Sequence, residues 1–151
     1  MEGKTIAEIV APYFDEVVDA ARSGLFDTIG HLDFIKRYLH PHVSPSQFAA
    51  APELYEPMLQ ALIETGAALE VNTSGLRQSP GETYPPEPIV ALFRDLGGEL
   101  VTAGSDAHRA DAFAFGLEDG YGVITEAGFR ALMFRRGGPS VAIALPERVR
   151  T

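Results

Sequence analysis

The chain of 151 residues has no cysteine. That excludes disulfides, a thiolate nucleophile and cysteine-ligated zinc, and it removes any argument for an oxidising compartment. Positive charge is scarce: 12 Lys and Arg stand against 21 Asp and Glu, for a formal net charge of −9. This balance repels a phosphate backbone, so no nucleic-acid partner is expected. A small phosphorylated substrate is compatible with it, since one or two placed arginines suffice. No apolar run reaches the roughly 18 residues of a membrane-spanning helix. The opening MEGKTIAEIVAPYFDE carries charges every few residues and lacks a signal-peptide core. A cytoplasmic protein with no membrane partner is the expectation. What the chain does have is 46% hydrophobic residues, enough for a core at about one domain's length.

The apolar residues fall into alternating helical and extended patterns. Ile6, Ile9, Val10, Tyr13, Val17, Ala20 and Ala21 share one helical face. Pro12 suggests that the firm helix begins there, at its first position, and Gly24 is the expected stop. Residues 25–29 (LFDTI) read as a short buried strand ending in Gly30-His31, followed by a helical patch over 34–39 and a loop over 40–46. Residues 52–65 have helical spacing closed by Gly66, and 67–72 (AALEVN) read as a strand. The turn-rich stretch 73–86 leads to a helix over 87–96 and a strand over 99–102. A helix over 110–119 and two strands within 131–145, joined at Gly137-Gly138-Pro139, complete the chain. Repeated helix-then-strand units with short connections imply parallel pairing and an α/β fold.

The polar residues that stand out lie just beyond strand ends, the functional edge of parallel α/β folds. Strand 99–102 delivers Gly104-Ser105-Asp106-Ala107-His108-Arg109. In an extended segment Asp106 and His108 point the same way, so carboxylate and imidazole can meet one divalent cation. The plainer alternative is a turn aspartate followed by a surface histidine. His31 is either a further ligand or a hydrogen-bonded structural residue. Asp33 either orients the His31 ring or caps the following helix, and the cap is favoured here. Glu70 and Asn72 share one face of their strand, where burial demands ions or hydrogen-bond partners; the alternative is a face open to solvent. Arg77 could grip two phosphate oxygens with its planar guanidinium, or simply be an exposed loop arginine. His40 and His42 have H-x-H spacing but sit in a Pro-rich loop, and are read as surface residues.

Taken in order, FDTIGHLDFIK (26–36), ALEVNTSGLR (68–77) and TYPPEPIVALFRDLGGELVTAGSDAH (83–108), with the closing hairpin, resemble the histidinol-phosphatase branch of the PHP (polymerase and histidinol phosphatase) superfamily. The resemblance runs from about residue 12 to residue 145. It implies the C-terminal portion of a distorted seven-stranded β/α barrel, so that 1–151 form a single partial PHP domain. The family's N-terminal strands with their H-x-H motif have no counterpart in it. It implies a metal-dependent phosphomonoester hydrolase that converts L-histidinol phosphate to L-histidinol in histidine biosynthesis, with divalent metals (zinc, manganese or iron) as cofactors. Residue by residue, it implies His31, Asp106 and His108 as metal ligands, with Asp106 and His108 the catalytic pair. Arg77, and with them Ser105 and Arg109, would hold the substrate phosphate; Asp33, Glu70 and Asn72 would support the ligands.

Three ligands of a larger set leave two expectations. The chain is a fragment, or has lost its front half, and alone hydrolyses its ester poorly, because one metal cannot bridge both attacking and leaving oxygens. It also self-associates, or pairs with a missing N-terminal half, through its open sheet edge. The alternative from a different class is a non-catalytic, PHP-derived oligomerising module. A third, nucleic-acid-directed phosphoesterase reading is opposed by the charge of −9.

Overall fold

The computed structural model describes residues 3–135 and 137–145. Helix α1 (Ile6–Arg22) starts where Thr5 and Glu8 form a reciprocal capping box, which satisfies two of the amide groups that a helix start leaves unpaired. This overrides the expectation from Pro12, which lies inside the helix on its exposed side. Val10, Phe14, Val18 and Ala21 form the buried face, against Met58, Leu59 and Leu62 of α4 (Glu56–Thr65). Each large side chain so covered contributes about 1.5–3 kcal/mol relative to exposure. Gly66 ends α4 in the left-handed conformation, at φ 71°.

Three parallel strands follow the order β1 (Thr28–Ile29), β2 (Ala68–Asn72), β3 (Val101–Gly104). Leu69 pairs with Ile29 on one side and Val101 on the other, while Asn72 faces Gly104. Leu69 and Val71 are fully buried on the helix-covered side, with α4 and α5 (Glu87–Asp95) supplying the other half of that core. The strand expected over 25–29 is only two residues long. Leu25 and Phe26 are 81% and 52% exposed, because pairing with β2 begins only at the carbonyl of Asp27.

Several elements differ from the pattern expected of them. The 40–46 loop runs into helix α3 (Pro45–Ala49), which follows α2 (Lys36–Leu39) and is started by a Ser44–Gln47 capping box. The helix expected over 110–119 forms later, as α6 (Leu117–Glu126). Its Gly120 and Gly122 weaken the helical signal, yet closeness demands the first of them: a Cβ on Gly120 would stand 2.8 Å from Thr73 Cγ2. The closing strands are β4 (Ala131–Phe134) and β5 (Val141–Ala144), an antiparallel pair that packs beside β3 as a separate sheet. Between that hairpin and the uncovered sheet face lies an open cavity of about 530 Å³, lined by Thr28, Glu70, Thr102 and Met133 among others. The architecture is thus α/β with a short parallel sheet, and among the described residues the strands do not close into a barrel.

Candidate metal and phosphate site

Because all three strands run parallel, the segments that follow them leave the sheet at one rim. Gly30-His31 follows β1, the Thr73–Arg77 turn follows β2, and Ser105-Asp106-Ala107-His108 follows β3. His31 and Asp106 both adopt left-handed backbone, at φ 38° and 49°. Outside glycine such conformations cost about 1–3 kcal/mol and persist only where neighbours hold them. At His31 the carbonyl accepts from Tyr13 Oη (3.3 Å) and from the Phe34 amide (2.9 Å). Its exposed ring lies 5.2 Å from that of Phe34.

Asp106 is held from the next loop. Arg77 Nη1 donates to Ser105 O at 2.8 Å and Nη2 donates to Asp106 O at 2.9 Å, with the guanidinium 5.7 Å from the Phe115 ring centre. His108 Nδ1 also lies 3.0 Å from Asp106 O. Its ring is otherwise exposed, with Asp106 Oδ1 3.6 Å from Nδ1.

Glu70 lies at the floor of the rim, its Oε1 accepting from Asn72 Nδ2 at 2.8 Å. Asn72 Oδ1 in turn accepts from the Ser74 amide, which starts the turn carrying Arg77. The Glu70 carboxylate is lodged between two glycines. A Cβ at Gly30 would come within 2.9 Å of Oε1, and one at Gly104 within 2.5 Å of Oε2. Reading the sequence alone missed the part these glycines play; the signal was present as a glycine just past each outer strand's apolar residues.

Asp33 is not a helix cap. It is fully buried, accepts from Tyr55 Oη at 2.9 Å, and pairs with Lys36 Nζ at 2.6 Å. Lys36 reaches on to Glu82 at 2.6 Å. Burial pushes the Asp33 carboxyl up, opposed by the charge and hydrogen bond of Lys36 and the Tyr55 hydroxyl. Burial, then the charge of Asp33, pushes Tyr13 up to about 12 and also raises Tyr55 and Tyr84. Among the described residues Asp33 Oδ1 and Ser74 Oγ are buried polar atoms left without a hydrogen-bond partner. Lys36 was legible as a partner only by its i, i+3 spacing from Asp33.

Other candidates are drawn elsewhere. Arg109 is 79% exposed and grips Asp111 through two bonds of 3.2 and 3.1 Å. His40 and His42 are exposed where α2 ends. Asp106 and His108 form an adjacent carboxylate and imidazole, a donor pair suited to a divalent cation. Yet among the described residues no three His, Asp or Glu side chains come together as a group able to hold a metal. The chain's own described residues therefore do not fit a complete metal centre, and His31 shares the rim without closing on the other two.

Comparison with known proteins gives a consistent result. No family model matches the chain. A probable histidinol-phosphatase of Deinococcus radiodurans is 34% identical over 134 residues, 89% of this chain and 48% of that protein. A probable histidinol-phosphatase of Thermotoga maritima is 35% identical over 112 residues, 74% of this chain and 46% of that protein. Among solved structures, histidinol phosphate phosphatase of Lactococcus lactis, complexed with zinc, L-histidinol and phosphate, superposes with a TM-score of 0.72 at 26% identity. That match covers 90% of this chain and 52% of the other. The chain spans about half the length of the curated relatives it matches.

Proposed function

We propose, for a chain that belongs over its own length with the C-terminal part of the histidinol phosphatases, that it contributes part of the site of a metal-assisted phosphomonoester hydrolase. The substrate of that site would be L-histidinol phosphate. The observation that carries this reading is the rim itself, which holds Asp106, His108, His31 and Arg77 at the ends of adjoining parallel strands. Asp106 and His108 would supply one carboxylate and one imidazole to a divalent metal, and His31 a second imidazole nearby. Glu70 and Asn72 support that rim from below. Arg77 uses two of its five N–H donors on backbone carbonyls, so donors remain for a phosphate oxygen. Further ligands would have to come from beyond the described residues, and under this reading the sheet would be one portion of a seven-stranded barrel.

A second reading, a non-catalytic module that pairs with another chain, draws on the hairpin. Phe134, Val141 and Ile143 are each about half exposed there, at 48%, 51% and 47%, in a hairpin packed beside β3, while among the described residues the far edge of the sheet, at β1, is unpaired. One assay separates the two readings. The purified chain is given zinc or manganese and histidinol phosphate, beside an Asp106→Asn variant. Slow turnover that Asp106→Asn abolishes supports the phosphatase reading. Loss of one metal's stabilisation, ~4 kcal/mol, would slow such a reaction roughly a thousandfold. Fast turnover indifferent to the substitution would show that the wrong residues have been chosen, and no turnover with no metal uptake would favour the module.

A further inference from the structure

Three loops leave the rim, and one buried amine ties the first of them to the second. Lys36, in the short helix that follows the His31 turn, donates from Nζ to Glu82 Oε1 at 2.6 Å. A lysine is almost never fully buried without a partner, and Asp33 Oδ2, also 2.6 Å away, already supplies one. The second contact therefore does more than satisfy a charge. It reaches 46 residues along the chain, into the segment that returns beside the Thr73–Arg77 turn. There Tyr84 exchanges both backbone hydrogen bonds with Asn72, at 2.9 Å each, and the Lys36 amine lies 5.4 Å from the centre of the Tyr84 ring.

The returning segment bears on the turn at two points, one on each side of Arg77. At Gly75 a Cβ would collide with the carbonyl oxygen of Glu82 and stand 2.9 Å from Tyr84 Cε2. At Gln78, which closes the turn, Oε1 accepts from Tyr84 Oη at 3.1 Å. Packing this close leaves no slack, so a shift of residues 82–84 must carry the turn with it. Arg77 in turn spans two successive carbonyls of the third loop, Ser105 O at 2.8 Å and Asp106 O at 2.9 Å, with the two ends of one rigid fork.

We propose that Lys36 and Glu82 are positioning residues for Arg77: their ion pair clamps residues 82–84 against the Gly75 turn and so fixes where the guanidinium meets the Ser105–Asp106 loop. The three loops of the rim then move as one unit. Only the consequence for phosphate affinity rests on the reading of Arg77 as a phosphate holder. An ion pair that merely stabilised α2 would leave the Arg77 fork where it is.

The test uses the 151-residue chain with Glu82→Ala, which removes one end of the pair but leaves Lys36 its partner Asp33. Lys36→Met with Asp33→Asn removes the other end without stranding a buried charge. Glu82→Gln keeps an acceptor for Lys36, and Val18→Ala, on the buried face of α1, is the control for a general loss of stability. Nitrogen-15 NMR reads the Arg77 Nε–H signal and the Ser105 and Asp106 amides, and a titration with inorganic phosphate follows the same signals. Glu82→Ala and the double variant are expected to move all three signals, Glu82→Gln to move them less, and Val18→Ala to leave them in place. Phosphate affinity is expected to fall in Glu82→Ala by roughly two- to thirtyfold, the range of coupling through intervening contacts. If either folded clamp variant leaves the Arg77, Ser105 and Asp106 signals unmoved, or if Val18→Ala moves them as far, the proposal is overturned. A parent chain that binds no phosphate would overturn the phosphate reading of Arg77, while the signals still decide the role of Lys36 and Glu82.

Discussion

Glu70 shows how one side chain dictates its neighbours. Its carboxylate occupies the space that a Cβ would need at both Gly30 and Gly104, so the strands on either side of β2 end in residues without side chains. The loops carrying His31 and Asp106 begin immediately afterwards. A Gly104→Ala variant should therefore lose about 1–3 kcal/mol, the usual range for an overpacked site. Part of that loss should return in the Gly104→Ala, Glu70→Ala double variant, because the clash is with the Glu70 carboxylate. Urea titrations of the four proteins in the cycle give the coupling. Additive losses would mean that Gly104 is needed for some reason other than Glu70. The sequence alone indicated the two-residue polar face of Glu70 and Asn72 but not its occupancy. Nothing in AALEVN says that the carboxylate would bend between glycines contributed from about 40 and 34 residues away along the chain.

Among the elements, α2 is the one most dependent on charge. It has four residues, too few to stand by its own hydrogen bonds, and it sits directly behind the His31 turn. What secures it is Lys36, 2% exposed, between Asp33 and Glu82. Lys36→Met should cost about 3–5 kcal/mol by leaving the buried Asp33 charge without its partner. Lys36→Met with Asp33→Asn should recover part of it, as read by thermal and urea denaturation. A Lys36→Met chain as stable as the parent would show that water or Tyr55 already satisfies Asp33. At this scale the long amphipathic helices and the central strand were legible because their apolar periods are undisturbed. The misjudged elements are those where one residue carried a competing signal. Pro12 suggested a late start to α1, while the Thr5–Glu8 capping box decided an early one. Gly120 and Gly122 masked α6, although a tight approach to Thr73 is what requires the first of them. Leu25 and Phe26 looked like strand core, but among the described residues β1 has a neighbour on one side only, and they fall before its pairing begins. The shared rim was legible as a set of strand-end segments. The Asp33 network was not, since its partners Tyr55 and Glu82 come from distant segments.

For the whole molecule, the buried and half-buried phenols predict how stability changes with pH. Tyr13 is raised to about 12, and Tyr55 and Tyr84 are raised as well, by burial and then by the negative charge of Asp33. Their ordinary value is 10.0. The unfolded chain thus gives up these protons first as pH rises. The corresponding stability is fully present below about pH 10 and is lost as the pH climbs toward the folded-state values. Melting temperatures followed from pH 8 to 11 should fall steeply above 10, and Tyr13→Phe should make the fall shallower. A melting temperature that holds level to pH 11 would show that these hydroxyls are better solvated than their burial implies.

The left-handed backbone at His31 and Asp106 has one further consequence, for anyone who evolves this protein. Both positions would rest more easily as glycine, and Asp106 also as asparagine, since those residues tolerate positive φ at less cost. A library screened only for heat resistance would therefore drift toward replacing the two residues that most define the rim. Survivors would be sturdier but would have lost the two side chains that the proposed reading offers to a metal. Under that reading heat resistance and metal uptake oppose each other at these two positions, so a screen that also demands metal uptake is the one that would keep both.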